Sequence, residues 1–205
     1  MNFLKLYYDE ALKVFYESGG CEEELYWLMS SILVKYPQHR DELKVRRKLM
    51  DLIVQDVKGK VLDVGCGVGI LTFMMALKEE VEKAVGIDKG CEVISFCNCL
   101  RNKITEKAEF LCSDFLSVEI NEGFNCVVFL YTLHDYEPEP FLEKALEALE
   151  EDGRIIVGDF DINGLREKIK AFVQENGLKI VKDTTIGRAK THEGFYEAFL
   201  ITARR

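Results

Sequence analysis

Apolar positions follow two different rhythms along the chain. In residues 3 to 17, Leu4, Tyr7, Tyr8, Ala11, Leu12 and Phe15 recur at helical spacing. Residues 22 to 35 and 40 to 56 read the same way, with Pro37 between them. The first 56 residues thus predict helices and no strand. From residue 58 the rhythm shortens. KVLDV (60–64), KAVGID (83–88), AEFLCSD (108–114), FNCVVFLY (124–131) and RIIVGDF (154–160) read as buried strands. Between them, helices are expected at 70–79, at about 91–102, and over PFLEKALEALEEDG with Gly153 as its stop. A last helix should be capped by Asn163, run to about 176 and stop at Gly177. LKIVKDTTI and FYEAFLITA close the chain as two strands with no helix between them, hence an antiparallel hairpin.

Strands alternating with helices predict an α/β fold: a Rossmann-like, doubly wound, mostly parallel seven-stranded sheet with an antiparallel last strand. N-terminal helices precede it. Residues 1–56 are expected to form a helical cap belonging to the same domain, and residues 57–205 its main body.

Composition adds limits. The 205 residues suit one domain, and the 48% hydrophobic content is that of a globular protein. No apolar run is long enough to span a membrane, and MNFLKLYYDE carries no export signal, so the cytoplasm is the expected location. The formal net charge of −9 argues against nucleic acid as a partner. The basic cluster KVRRK (44–48) is expected as a solvated helix face. Seven cysteines cannot all pair within one chain. Cys97 and Cys99 resemble a metal pair, but two residues apart on a helix they point to nearly opposite sides. They are read as free thiols, and no metal site is expected.

The stretch VLDVGCGVGI (61–70) carries the most chemistry. A buried strand breaks into three glycines, Gly65, Gly67 and Gly69. In a doubly wound sheet, ligands bind beyond the carboxyl ends of the strands, where glycine lets backbone approach closely. A dinucleotide fingerprint would be G-x-G-x-x-G, yet here Ile70 holds the sixth position. Asp63 also lies just before the loop. A carboxylate there disfavours a pyrophosphate and suits a ligand bearing a cationic amino group.

With these features, VLDVGCGVG resembles the first motif of class I S-adenosylmethionine-dependent methyltransferases, of the small-molecule kind. The downstream landmarks are similar in order and distance. Asp88, ending VGID, matches the acid that in the family holds both ribose hydroxyls. Asp114, in LCSDF, matches the acid near the adenine amino group. FNCVVFLYTLHDY resembles the fourth-strand motif, with Asn125 where the family usually has aspartate. EALEEDGRIIVGDF resembles the following helix, turn and fifth strand. The resemblance implies S-adenosyl-L-methionine as cofactor and S-adenosyl-L-homocysteine as product. It implies cofactor contacts from Asp63, Gly65, Cys66, Gly67, Asp88, Lys89, Asp114, Phe115 and Leu130. Structural alternatives stay open: Asp63 could tie loop amides, Asp88 could simply end its strand, and Asp114 could cap the next turn.

Methyl transfer from a sulfonium needs alignment and exclusion of water, and an oxygen or carbon acceptor often needs a base as well. In YTLHDYEPEP, His134 sits where plant-type small-molecule O-methyltransferases carry a catalytic histidine. The alternative is a histidine that only lines the pocket. His192, in RAKTHEGF, is a second candidate, read as a solvated loop residue. The position after strand four reads LYTL, not the N/D-P-P-Y/F of enzymes that methylate amino groups of bases or glutamine amides, and no proline precedes a cysteine. Tyr7, Tyr8, Phe15, Tyr16, Tyr26 and Trp27 could shape an apolar acceptor pocket or belong to the core. The expectation is methyl transfer to a small molecule. Its rivals are a methyltransferase acting on protein or RNA and a non-catalytic partner subunit on the same fold. An aminopropyltransferase, which takes a decarboxylated donor, has a more acidic loop. The acceptor atom, the substrate and the oligomeric state are not legible at this level.

Overall fold

The computed structural model describes residues 3–17, 40–190 and 194–205. The helix expected at 22–35, with Tyr26, Trp27 and Pro37, lies outside the described residues, as does His192. Two helices open the chain, α1 (Phe3–Glu17) and α2 (Arg40–Asp56). There follow β1 (Gly59–Val64), α3 (Ile70–Ala76), β2 (Val81–Asp88), α4 (Cys91–Ile104), β3 (Ala108–Cys112) and β4 (Phe124–Leu130). A single 3₁₀ turn (Leu133–Asp135) leads to α5 (Pro138–Ala148) and β5 (Leu149–Phe160). The chain ends with α6 (Leu165–Glu175), β6 (Lys179–Lys190) and β7 (Phe195–Arg204).

The seven strands lie in the order β3-β2-β1-β4-β5-β7-β6. Pairs among β1 to β5 are parallel, and β7 runs antiparallel to both of its neighbours, β5 and β6. This is the doubly wound sheet with a reversed last strand that the alternation predicts. The order in which strands are added reverses between β1 and β4, the place where such sheets bind ligands.

The sheet is buried on both faces, and successive strand residues alternate between two cores. Val61, Ala84, Val128, Ile156 and Leu200 join α1, α2, α3 and α4 in one cluster. Leu62, Val85, Val127, Ile155, Val157 and Phe199 join α5 and α6 in the other. Tyr7, Ala11, Leu49 and Ile53 belong to the first cluster, so the N-terminal helices share the core of the sheet. Gly158 lets α2 approach β5: a Cβ there would stand 3.1 Å from Leu49 Cδ2.

Three local expectations are corrected. Gly153 does not stop a helix. The helix ends at Ala148, and β5 begins at Leu149, which is buried opposite Phe124. Residues 150 to 153 then bulge out before Arg154 pairs with Cys126. Asn163 does not cap α6. It has φ 54°, the N-cap is Gly164, and no side chain caps the helix. The Arg166 N–H instead donates to Asp161 Oδ1 at 3.1 Å. Thirdly, β3 ends at Cys112, which leaves Asp114 in the turn beyond it. The expected stop at Gly177 is present: φ is 68°, and the Leu178 N–H reaches back to the Val173 carbonyl at 2.9 Å.

The departure at Asn125 is structural, for its Oδ1 accepts the Lys60 N–H at 2.8 Å and ties β4 to β1. The packing of α2 makes a testable claim. Leu49 is fully buried between the helix and the sheet. Leu49→Ala should lower stability by about 2–5 kcal/mol in urea unfolding. A loss below about 1 kcal/mol would show that α2 is not docked there.

Candidate functional site

The loop after β1 is held by the neighbouring strand. Gly65 and Cys66 donate N–H bonds to the Ile87 carbonyl at 2.8 and 3.1 Å. Gly67 donates to Asp88 Oδ2 at 2.9 Å, and Gly90 donates to Asp88 Oδ1 at 2.8 Å. Gly65 has φ 73°, and a Cβ on it would fall 2.6 Å from Thr132 Oγ1. That hydroxyl donates to the Val64 carbonyl at 3.0 Å, locking the turn after β4 onto the end of β1. Gly69, at φ 77°, leaves room for the Phe110 ring, 2.7 Å from where its Cβ would be. Tyr7 braces the loop from behind, donating its hydroxyl to the Val68 carbonyl at 2.6 Å.

Above these strand ends lies a cleft of about 190 Å³. Its walls are Val64, Gly65, Ile87, Asp88, Lys89, Ser113, Asp114, Phe115, Leu116, Thr132, Tyr136 and Phe141. Five residues predicted from the sequence therefore meet in one cleft: Gly65, Asp88, Lys89, Asp114 and Phe115. Four others do not line it. Asp63 is 2% exposed and accepts the Thr72 hydroxyl at 2.6 Å, beneath the loop. Cys66 Sγ turns toward the Gly67 carbonyl, Gly67 meets the site through its amide, and Leu130 packs on the first core.

The cleft suits a nucleoside. Each carboxylate oxygen of Asp88 carries two lone pairs. The amides of Gly67 and Gly90 take one from each oxygen, leaving two side by side for a diol. Asp114 Oδ1 accepts the Leu116 N–H at 2.9 Å, so the turn-capping role weighed from the sequence is present. Phe115 forms an aromatic floor, parallel to Phe141 with ring centroids 6.2 Å apart. Lys89 does not stack. Its Nζ donates to the Tyr136 hydroxyl at 2.9 Å across the cleft mouth.

A second cavity, of about 490 Å³, adjoins the first. Leu133, His134, Asp135, Glu137, Ile162, Asn163 and Lys168 contribute to it, and Tyr136 lines both cavities. His134 hangs at its edge, 17% exposed. The His134 Nδ1 lies 2.6 Å from Asp159 Oδ1, whose side chain is wholly buried. A carboxylate only accepts, so Nδ1 carries a proton, and in the neutral imidazole Nε2, 3.6 Å from Asp135 Oδ1, has the lone pair. The other Asp159 oxygen accepts the N–H groups of Leu133 and His134 at 3.0 and 3.3 Å. The Asp159 hydrogen bond holds the His134 pKa above its usual 6.5, against an opposing effect of burial.

Asp159 was missed from the sequence, where VGDF looks like any strand end. Tyr131 was missed too. It takes φ 54° just after β4, under the Arg46 guanidinium at 4.3 Å and against Phe160 at 5.0 Å. Its hydroxyl is buried, and no hydrogen bond to it is found among the described residues. Of the N-terminal aromatics, Tyr7 is core, against Phe73 at 6.1 Å. The basic cluster is committed elsewhere: Lys44 pairs with Asp41, Arg46 with Glu42, and Lys48 donates to the Ile186 carbonyl. Cys97 is buried and Cys99 exposed on α4, as helical geometry requires. Cys91 and Cys112 form a disulfide that the sequence did not suggest.

Residues 55–197 match a family model described as a methyltransferase domain, and the chain belongs to that family. It is a class I S-adenosylmethionine-dependent methyltransferase. A protein-lysine N-methyltransferase of Saccharolobus islandicus is 28% identical over 137 residues, 66% of this chain and 83% of that one. The mitochondrial ubiquinone biosynthesis O-methyltransferase of Candida albicans is 29% identical over 136 residues, 64% of this chain and 41% of that one. Magnesium protoporphyrin IX methyltransferase from Synechocystis PCC 6803, solved with bound S-adenosylmethionine, shares the fold at a TM-score of 0.69 and 16% identity. That match covers 100% of this chain and 98% of the other.

Asp63 makes a pH prediction. Burial pushes its pKa up to about 7, from 3.8. The folded state thus holds a proton that the unfolded chain releases above pH 3.8, and stability falls as pH rises toward 7. In Asp63→Asn that slope is absent. Between pH 5 and 8 the variant should gain about 2–3 kcal/mol relative to wild type in urea unfolding. Parallel stability curves would refute the buried, neutral acid.

Proposed function

We propose that the chain is a cytoplasmic enzyme that methylates a small molecule bound in the cavity beside His134, with His134 as general base. Asp88, Gly65, Gly67, Asp114 and Phe115 bind the nucleoside of the donor in the adjoining cleft. Asp63, Cys66, Lys89 and Leu130 stand close behind or beside it. The bound S-adenosylmethionine supplies an activated methyl group on a sulfonium. The protein's own work is then to align the acceptor, exclude water and take up a proton.

One observation carries the reading: the buried Asp159 fixes His134 through Nδ1 at the lining of a cavity that shares Tyr136 with the cleft at Asp88, with Nε2 3.6 Å from Asp135 Oδ1. A space of about 490 Å³ is of the size that holds small ligands. The base works in its neutral form. The rate should therefore rise with pH to a plateau, with its midpoint above 6.5. His134→Gln should lower kcat about 10²- to 10⁴-fold while leaving S-adenosylhomocysteine affinity unchanged. Asp159→Asn should lower kcat and move the midpoint to lower pH, because the hydrogen bond that raises the pKa is lost. Near-normal turnover of His134→Gln would remove the base.

A second reading is methylation of a protein lysine. It is favoured by the relative from Saccharolobus islandicus, most of whose length the chain spans. Incubation with methyl-labelled S-adenosylmethionine and cell extract separates the two. Label in the small-molecule fraction is expected. Label only in protein would overturn the small-molecule acceptor.

A further inference from the structure

We propose that the Cys91–Cys112 disulfide is a reversible thiol-modification site, exchanged by a dithiol protein or small dithiol, whose state sets cofactor affinity. The inference rests on the cleft at Asp88 and Asp114 being the donor site. The bond joins the first residue of α4 to the last residue of β3, with Cα atoms 5.0 Å apart. Those two points carry neighbouring parts of the cleft wall, for Cys112 pairs with Asp88 in the β2–β3 ladder. Asp88 and Lys89 come just before Cys91, and Ser113 and Asp114 just after Cys112.

The wall at Ser113 is otherwise held by hydrogen bonds and by Phe115 packed on Phe129 and Phe141. β3 is only five residues long and forms the edge of the sheet. Beyond Cys112, the Ser113 N–H donates to the Asp88 carbonyl at 3.0 Å, and the chain then turns into the cleft. The disulfide adds a covalent tie to this junction. Opening it frees Ser113 and Asp114 to shift from Asp88, and a ligand bridging the two acids must then order them at a cost in affinity.

These sulfurs are open to chemistry, as is that of the exposed Cys99. Cys91 is exposed and Cys112 half-buried. Cys66, Cys97 and Cys126 are largely enclosed, and burial pushes their thiols up, away from the reactive thiolate. Cys91 opens a fourteen-residue helix, where the amide dipoles favour a thiolate. The exchange is balanced. One thiolate of the dithiol attacks the disulfide, forming a mixed disulfide and releasing one protein thiolate, which takes a proton. The second thiol of the reductant displaces the other protein sulfur and closes the reductant's own disulfide. Two electrons and two protons pass to the protein, and a disulfide oxidant reverses the step.

The test is titration of the full chain with S-adenosylhomocysteine, well below the melting transition, before and after dithiothreitol. Thiols are counted by alkylation and mass spectrometry in both states. Reduction should weaken binding about tenfold. Cys91→Ser should show the weaker affinity with or without dithiothreitol, and Cys99→Ser should behave as wild type. Equal affinity after release of both thiols would make the bond purely structural and overturn the proposal. So would a bond that resists dithiothreitol in the folded protein. Failure of the oxidised protein to bind, or binding unchanged in Asp88→Ala, would overturn the donor site itself, and the proposal with it.

Discussion

The whole site hangs on one carboxylate. β1 and β2 are parallel and in register, Val64 opposite Ile87, so the two strands end side by side. The chain leaving β1 must turn sharply there with its amides exposed, which would be costly in a buried sheet unless those amides found acceptors. The end of β2 supplies them. Two amides go to the Ile87 carbonyl, one goes to Asp88 Oδ2, and Asp88 Oδ1 takes the Gly90 amide that opens α4. Three glycines with positive φ allow the turn. Asp88 thereby fixes the loop, the start of α4 and the rim of the cleft together, and it does so before any ligand arrives.

Two further acids lie under the strand ends, one on each face of the sheet, and they meet the same constraint differently. A buried carboxylate needs donors. Asp63, on the α3 face, has the hydroxyl of Thr72, and burial raises its pKa to about 7. Asp159, on the α5–α6 face, has the amides of Leu133, His134 and Phe160 as well as the imidazole. The first acid can shed or regain its proton near neutrality. The second is held rigidly by four donors, and it passes that rigidity to His134. The turn after β4 is pinned by this acid from one side and by Thr132 on Val64 from the other. Tyr131 absorbs the resulting strain in its positive φ.

Much of this was legible because it is local. The glycine loop, the acid ending β2 and the turn after β4 are each written in a few adjacent residues, and the strand runs are short, apolar and flanked by turn residues. What escaped was set by partners far apart in sequence. Asp159 and His134 are 25 residues apart, and Cys91 and Cys112 are 21 apart, with nothing in either local stretch to announce the pairing. The early start of β5 came from Leu149 packing opposite Phe124, a tertiary gain that outweighed the helical pattern of EALEED. Asn163 looked like a helix cap, but Asp161 takes the Arg166 amide, the second of that turn. Tyr7 had the right residue type for a pocket wall, yet Phe73 and the Val68 carbonyl claimed it for the core.

The two cavities differ in how far the sequence announces the residues that build them. The cleft at Asp88 is built from the ends of β1, β2 and β3, positions the sheet itself dictates. The second cavity is walled by the turn at 133–138 and the connection from β5 into α6 at 162–168. Such connections are free to vary on a constant scaffold. Relatives named for a protein lysine and for ubiquinone biosynthesis therefore align with the same chain at nearly the same identity. Tyr136 stands where the two parts meet. It lines both cavities, and its hydroxyl takes the Lys89 ammonium from the Asp88 side. A ligand entering the cleft at Asp88 must meet that bridge, and any movement of Tyr136 reshapes the neighbouring cavity.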